Sequence, residues 1–137
     1  MAKKVYFACS VRGGGDTSNY VALLDLIKST GGEILSEIFV NDAILYGGSP
    51  LPTDEIYKRD IEMINNADVV IAEVTNPSLG VGYELGYAEK LNKPILCLFD
   101  DKSDRKLSAM VDGNPYNQVA HYSSDSLPTE AIKKFLA

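Results

Sequence analysis

The stretch Val69-Val-Ile-Ala-Glu-Val74, running through Thr75-Asn-Pro-Ser78-Leu-Gly80-Val-Gly82-Tyr-Glu84-Leu-Gly86-Tyr-Ala88-Glu-Lys-Leu91, decides the fold class. Its first part is a β-branched run of strand length, and its last part repeats apolar residues at helical spacing, at Leu85, Ala88 and Leu91. A short apolar strand that hands over to a helix suits a strand buried on both faces of a parallel sheet. Outward from this unit, similar runs recur at Val5–Cys9, Glu33–Ser36, Ile95–Phe99 and Gln118–Tyr122. Helical patterns fall at Ser18–Ser29, Thr53–Asn66 and Thr129–Leu136, with a short helical turn near Arg105–Val111. The alternation predicts an α/β protein, a flavodoxin-like doubly wound five-stranded parallel sheet with helices on both faces.

The boundaries have physical markers. Gly31-Gly32 can end the first helix, Thr53 can cap the second, and Pro94 starts a strand. Phe39–Pro52, with Gly47-Gly48-Ser49-Pro50 and Pro52, reads as one long irregular stretch, a length at which loops tend to be lids or disordered segments.

The chain has 137 residues, 45% of them hydrophobic, which predicts a single domain over residues 1–137 with an ordinary core. A net charge of −6 without clustered Lys or Arg excludes charge-driven binding to a nucleic-acid polymer. It does not exclude a small anion, which needs only one pocket with a few donors. Cys9 and Cys97 lie far apart, there is no CxxC, and His121 is the one histidine, so no metal site or disulfide framework is indicated. A reducing, cytoplasmic setting is expected. Val5–Cys9 is too short an apolar run for a signal peptide or a membrane span, so no membrane partner is expected.

In a doubly wound sheet, ligands bind outside the carboxyl ends of the strands, near the point where strand order reverses. After the first strand comes Ser10-Val-Arg12-Gly13-Gly14-Gly15 before a helix. Glycines let main-chain N–H groups approach an anion, and a helix N-terminus adds positive potential, so the turn suits a phosphate. It reads equally as a flexible turn with a solvated Arg, and it matches neither GxGxxG nor a Walker motif. Ser78, at a helix start, either donates to an anion or caps, and an isolated Ser there more often caps.

Glu84 lies on or beside the inward face of its helix, since Val81, Ala88 and Leu91 are three, four and seven residues away. Buried Glu is uncommon without a partner. A place in the helix's first turn would favour the ionised carboxylate, the form a nucleophile needs. Capping-box chemistry or a structural ion pair is the competing reading. Asp60 repeats the anomaly on the preceding helix, four residues from both Ile56 and Ile64; its neighbour Arg59 is expected to point elsewhere. Two inward acids suggest glycosidic chemistry, in which one attacks the anomeric carbon and the other manages the leaving group's proton. Tyr6 would offer a phenol near the end of the first strand, although most strand tyrosines are core. His121 reads as partly buried and structural; Tyr83 and Tyr87 read as packing or subunit contacts.

At this point the sequence resembles the nucleoside 2-deoxyribosyltransferase superfamily, and within it the Rcl-type 2′-deoxynucleoside 5′-phosphate N-hydrolases. The resemblance rests on Tyr6-Phe-Ala-Cys-Ser10-Val-Arg12-Gly-Gly, Ala67-Asp-Val-Val-Ile-Ala-Glu-Val-Thr75, Pro77-Ser78-Leu-Gly80-Val-Gly-Tyr-Glu84-Leu-Gly86, Ile95-Leu-Cys-Leu-Phe99 and Leu107-Ser108-Ala-Met110. It implies that Glu84 forms a deoxyribosyl-enzyme intermediate, that Asp60 assists protonation of the departing base, and that Tyr6 orients Glu84. It implies that Ser10, Arg12, Gly13, Gly14, Ser78 and Gly80 cradle the 5′-phosphate of a deoxynucleoside monophosphate. Ser108 resembles a serine that reaches the phosphate of the neighbouring subunit, which implies a homodimer. No metal or organic cofactor belongs to this chemistry. The alternatives are a ribonucleoside monophosphate N-glycosidase of the CMP type, a deoxyribosyltransferase acting on unphosphorylated nucleosides, and a non-catalytic nucleotide-binding module, which would have no reason to hold two acids inward.

Overall fold

The computed structural model describes residues 2–11 and 17–137. Along the chain these form β1 (Lys3–Ala8), α1 (Ser18–Ser29), β2 (Gly32–Ile34), α2 (Glu37–Tyr46), α3 (Thr53–Asn66), β3 (Val69–Glu73), α4 (Leu79–Lys90), β4 (Ile95–Asp100), α5 (Ala109–Asp112), β5 (Gln118–Tyr122) and α6 (Thr129–Leu136). The strands make one five-stranded sheet in the order β2-β1-β3-β4-β5. Every pairing is parallel, with Val5 opposite both Ile34 and Val69, Ile71 opposite Leu96, and Cys97 opposite Val119. This is the flavodoxin-like order, and strand order reverses between β1 and β3.

The period-2 alternation of β1 and β3 sends successive side chains to opposite faces of the sheet. Val5, Phe7 and Ile71 join Leu23, Leu24, Ile27, Ile132 and Phe135 in a core beneath α1 and α6. Tyr6, Ala8, Val70 and Ala72 face the other way, toward Ile64 of α3 and Val81, Leu85 and Ala88 of α4. Helices therefore cover both faces, as the alternation predicts.

Three local readings change. Phe39–Pro52 is not one irregular stretch, because α2 occupies its first half and only the remainder links α2 to α3. The sequence hid α2 because its apolar residues do not gather on one side: Val40 and Ala43 are buried, while Ile38, Leu45 and Tyr46 are 70–76% exposed. Gly47, at φ 72°, ends the helix in the left-handed region where glycine has no steric penalty. Second, Thr53 is not a cap; Pro52 holds that position and no side-chain bond closes the helix start. Third, the apolar spacing at Leu85, Ala88 and Leu91 predicts a helix over Gly82–Leu91, but α4 begins three residues earlier, because the Ser78 hydroxyl caps it by accepting from the Val81 N–H at 3.2 Å.

Ser36 shows how the edge of the sheet is finished. Its hydroxyl accepts from the Phe7 N–H and donates to the Phe7 carbonyl, both at 3.0 Å, so a side chain completes the β1 ladder where β2 turns away.

Candidate active site

Three elements converge where strand order reverses. β1 delivers Tyr6, α3 delivers Asp60 and α4 delivers Glu84. The Tyr6 hydroxyl donates to Glu84 Oε2 at 2.5 Å. Tyr6 is 4% exposed, and burial together with the charges of Glu84 and Asp60 pushes its phenol far above the ordinary range, so it stays a donor. With Asp60 and Arg59 it lines a recess of about 90 Å³ against Glu84. That recess adjoins a cleft of about 600 Å³, which Asp60 and Glu84 also line, bounded by Phe39 and Ala43 of α2 and by Tyr57 and Tyr83.

Glu84 sits in the second turn of α4 rather than the first, so the helix dipole gives its carboxylate less support than the sequence suggested. Burial pushes its carboxyl up to about 7. The Tyr6 hydrogen bond opposes that rise, the charge and hydrogen bonding of Asp60 add to it, and Arg59 lowers it. An acid in this state exchanges its proton near neutrality, as acid–base and nucleophilic chemistry at that pH requires.

The expectation that Arg59 points away from Asp60 is overturned. Arg59 Nε donates to Asp60 Oδ1 at 3.0 Å, and the guanidinium carbon lies 4.1 Å from the centroid of the Phe39 ring. Helical spacing forbids adjacent residues from sharing a face, but the long Arg side chain bends back, and the ring of α2 gives it an apolar shelf. The two side chains are only 20% and 23% exposed.

The other predicted residues are distributed around this centre. Ser10 is 6% exposed, and its carbonyl accepts from the Tyr20 hydroxyl at 2.8 Å. Arg12, Gly13 and Gly14 lie outside the described residues. Gly80 lines the cleft with Glu84. Ser78 and Ser108 do not; they line a separate cleft of about 520 Å³ with Gly82, Gly86, Leu79 and Met110. Ser108 caps α5, accepting from the Met110 N–H at 3.2 Å. His121 is exposed rather than partly buried, because β5 is an edge strand; its Nδ1 lies 2.6 Å from Asp101 Oδ1. Among the described residues no cluster of His, Cys, Asp and Glu could hold a metal ion, and no helix is long and apolar enough to cross a membrane. Burial and the charges of Glu73 and Glu84 push the Cys9 thiol up to about 12, away from the thiolate a cysteine nucleophile needs.

Sequence reasoning missed Phe39, Arg59, Tyr57 and Tyr83 as cleft residues. Phe39 was hidden inside the misread stretch. Tyr57 and Tyr83 pack edge to face at 6.2 Å between centroids, with their hydroxyls 3.4 Å apart, bridging α3 to α4. Their signal was present: Tyr57 and Tyr83 each stand on a helix that carries one of the two anomalous acids. Glu73 was missed as well. It is 2% exposed and accepts from the Thr75 N–H at 2.7 Å, the Thr75 hydroxyl at 2.9 Å and the Tyr122 hydroxyl.

A family model described as nucleoside 2-deoxyribosyltransferase matches residues 5–119. The chain is 44% identical over 141 residues to the 5-hydroxymethyl-dUMP N-hydrolase of Mus musculus, a match covering 97% of this chain and 80% of that one. It is 37% identical over 134 residues to a putative 2′-deoxynucleoside 5′-phosphate N-hydrolase 1 of Syntrophotalea carbinolica, covering 98% and 94%. Among solved structures, the CMP N-glycosidase of Clostridium botulinum superposes with a TM-score of 0.65 over 96% of each chain. At 19% identity that likeness speaks to the fold.

Proposed function

The chain belongs to the nucleoside 2-deoxyribosyltransferase family and is an enzyme of N-glycosidic bonds; from that premise we propose that it hydrolyses 2′-deoxynucleoside 5′-monophosphates to free base and 2-deoxyribose 5-phosphate, with Glu84 as nucleophile. The observation that carries this reading is the 2.5 Å contact between the Tyr6 hydroxyl and Glu84, set against Asp60 at the foot of a cleft of about 600 Å³.

The two acids share the work of one proton. A phenol donating to Glu84 favours the carboxylate there, the form that attacks, and Asp60 handles the proton of the departing base. Glu84 then attacks C1′ as the base departs, and its charge also stabilises the oxocarbenium-like transition state. Asp60 gives its proton to the base. In the second half, water attacks C1′, Glu84 leaves as carboxylate, and Asp60 recovers a proton from that water. Tyr6 holds the Glu84 carboxylate in line and crowds the sugar.

Ser10, Arg12, Gly13, Gly14, Ser78 and Gly80 form the 5′-phosphate cradle, aided by the N-terminus of α4. Ser108 completes the cradle of a second subunit in a homodimer. Two observations favour sharing. Ser108 lies on the opposite side of α4 from Glu84, beside Leu79 and Met110, which are 97% and 84% exposed. In addition, a Cβ at Gly82 or Gly86 would meet nothing within 4 Å, so packing inside the chain does not explain two glycines that each cost a helix about 1 kcal/mol. The reaction takes place within the single domain, in the cytoplasm, where charged nucleotides are held, and needs no metal or organic cofactor.

The names of the relatives make 5-hydroxymethyl-dUMP the first substrate to offer. The test is to incubate the protein with it, with other deoxynucleoside monophosphates, with CMP and with unphosphorylated deoxynucleosides, with and without an acceptor base, and to follow free base by chromatography. Release from deoxymonophosphates alone is the expected result. Release from CMP alone would move the enzyme to the ribonucleotide class, and exchange from unphosphorylated deoxynucleosides would make it a transferase.

A further inference from the structure

We propose that Arg59 is a catalytic residue that hydrogen-bonds the departing base through its terminal nitrogens and stabilises the negative charge that develops there; this rests on the N-glycosidase reading above. Arg59 is held at two points, by its Nε bond to Asp60 Oδ1 at 3.0 Å and by the Phe39 ring 4.1 Å from its guanidinium carbon. A guanidinium has five N–H donors, and the Asp60 bond uses one. Among the described residues the two terminal nitrogens have no hydrogen-bond partner. Both the cleft and the recess against Glu84 count Arg59 among their walls. Four donors on a planar cation are thus fixed beside the two acids and open to the space a nucleotide would fill.

The chemistry gives that cation a task. As the C1′–N bond breaks, its electron pair goes to the base nitrogen and spreads onto the adjacent ring carbonyl oxygens, while a Glu84 oxygen bonds to C1′. A fixed fork of donors suits such oxygens, and it acts most strongly where charge is greatest, in the transition state. Asp60 then delivers its proton to the base, so the base leaves neutral and the guanidinium keeps its own protons. Orientation by Asp60 and Phe39 supplies the preorganisation that a freely rotating Arg would lack.

The experiment uses deoxyuridine monophosphates that carry uracil, 5-hydroxymethyluracil or 5-fluorouracil, leaving groups of different acidity, with wild-type protein, Arg59→Gln and Arg59→Lys. Arg59→Gln is expected to lower kcat for the uracil substrate about 10²-fold, with a smaller loss for the more acidic 5-fluorouracil and little change in KM. Arg59→Lys, which keeps the charge but not the fork, is expected to fall between, and it carries the test if the Gln variant does not fold. A loss of equal size for every leaving group, or an effect confined to KM, would overturn the proposal and leave Arg59 a structural partner of Asp60. Wild-type turnover separates the two levels: no hydrolysis of any of these substrates sinks the N-glycosidase reading, whereas variants as fast as wild type sink only the role of Arg59.

Discussion

Two glutamates stand on the same unit of chain eleven residues apart, both withdrawn from solvent, and they are in opposite conditions. Glu73, the last residue of β3, accepts from three donors and knits β3 to β5 and to the turn before α4. Among the described residues Glu84 has one donor, Tyr6, and a second acid beside it. Burial raises the carboxyl of each, but the donors around Glu73 work against the rise, whereas Asp60 adds to the rise at Glu84. A satisfied buried acid holds a structure together. An acid left short of partners stores a reactive charge, and the comparison shows that burial alone does not distinguish the two.

The contrast breaks first at Glu84. Glu84→Gln should lower kcat by at least about 10³-fold while nucleotide binding by calorimetry stays close to wild type, because the attacking charge is lost and the shape kept. Turnover near the wild-type rate would return Glu84 to the structural class. Glu73 should give the converse result. Glu73→Ala leaves two hydroxyls and an N–H without their acceptor and should cost about 3 kcal/mol of stability, seen as a fall in Tm of about 10 °C. The milder Glu73→Gln should lose about 1 kcal/mol.

Tyr6→Phe sharpens the comparison by removing the donor that Tyr6 gives Glu84. We expect kcat at neutral pH to drop about 10- to 100-fold. The acid limb of kcat/KM, which a Glu84 carboxyl near 7 would set in wild type, should move to higher pH, because Tyr6 lowers that carboxyl. A limb that stays in place would separate Tyr6 from Glu84. Glu84 also has an effect on stability. Because burial raises Glu84 from 4.5 to about 7, the folded protein holds that proton more tightly than the unfolded chain. Its contribution is fully present below pH 4.5 and is lost as pH rises through 7. Glu84→Gln should therefore gain stability relative to wild type between pH 5 and pH 8, on the order of 1–3 kcal/mol in denaturant titrations.

The sheet was legible because β3 and β4 are buried on both sides and so are written as unbroken apolar runs. The acids were legible because Glu84 and Asp60 interrupt apolar stripes. What stayed hidden depends on contacts between elements. The fate of Arg59 is decided by Phe39, a residue on a helix whose apolar side chains face both inward and outward, so no periodic signal announced either. Glu73 sits inside the run that identified β3, and its donors Thr75 and Tyr122 lie 2 and 49 positions away, a pairing that no spacing rule reports. The start of α4 was misplaced for a simpler reason: a serine cap sets it, whereas the apolar pattern begins only where packing does.

The Tyr20 hydroxyl, which donates to the Ser10 carbonyl and lies 3.4 Å from Asn76 Nδ2, joins the turn after β1 to the turn after β3 across the point where strand order reverses. It is a gauge block. The spacing of Ser10 and Asn76 is set by a helix side chain of the protein itself, so the proposed phosphate cradle would draw on a gap held in advance rather than spend binding free energy on forming it.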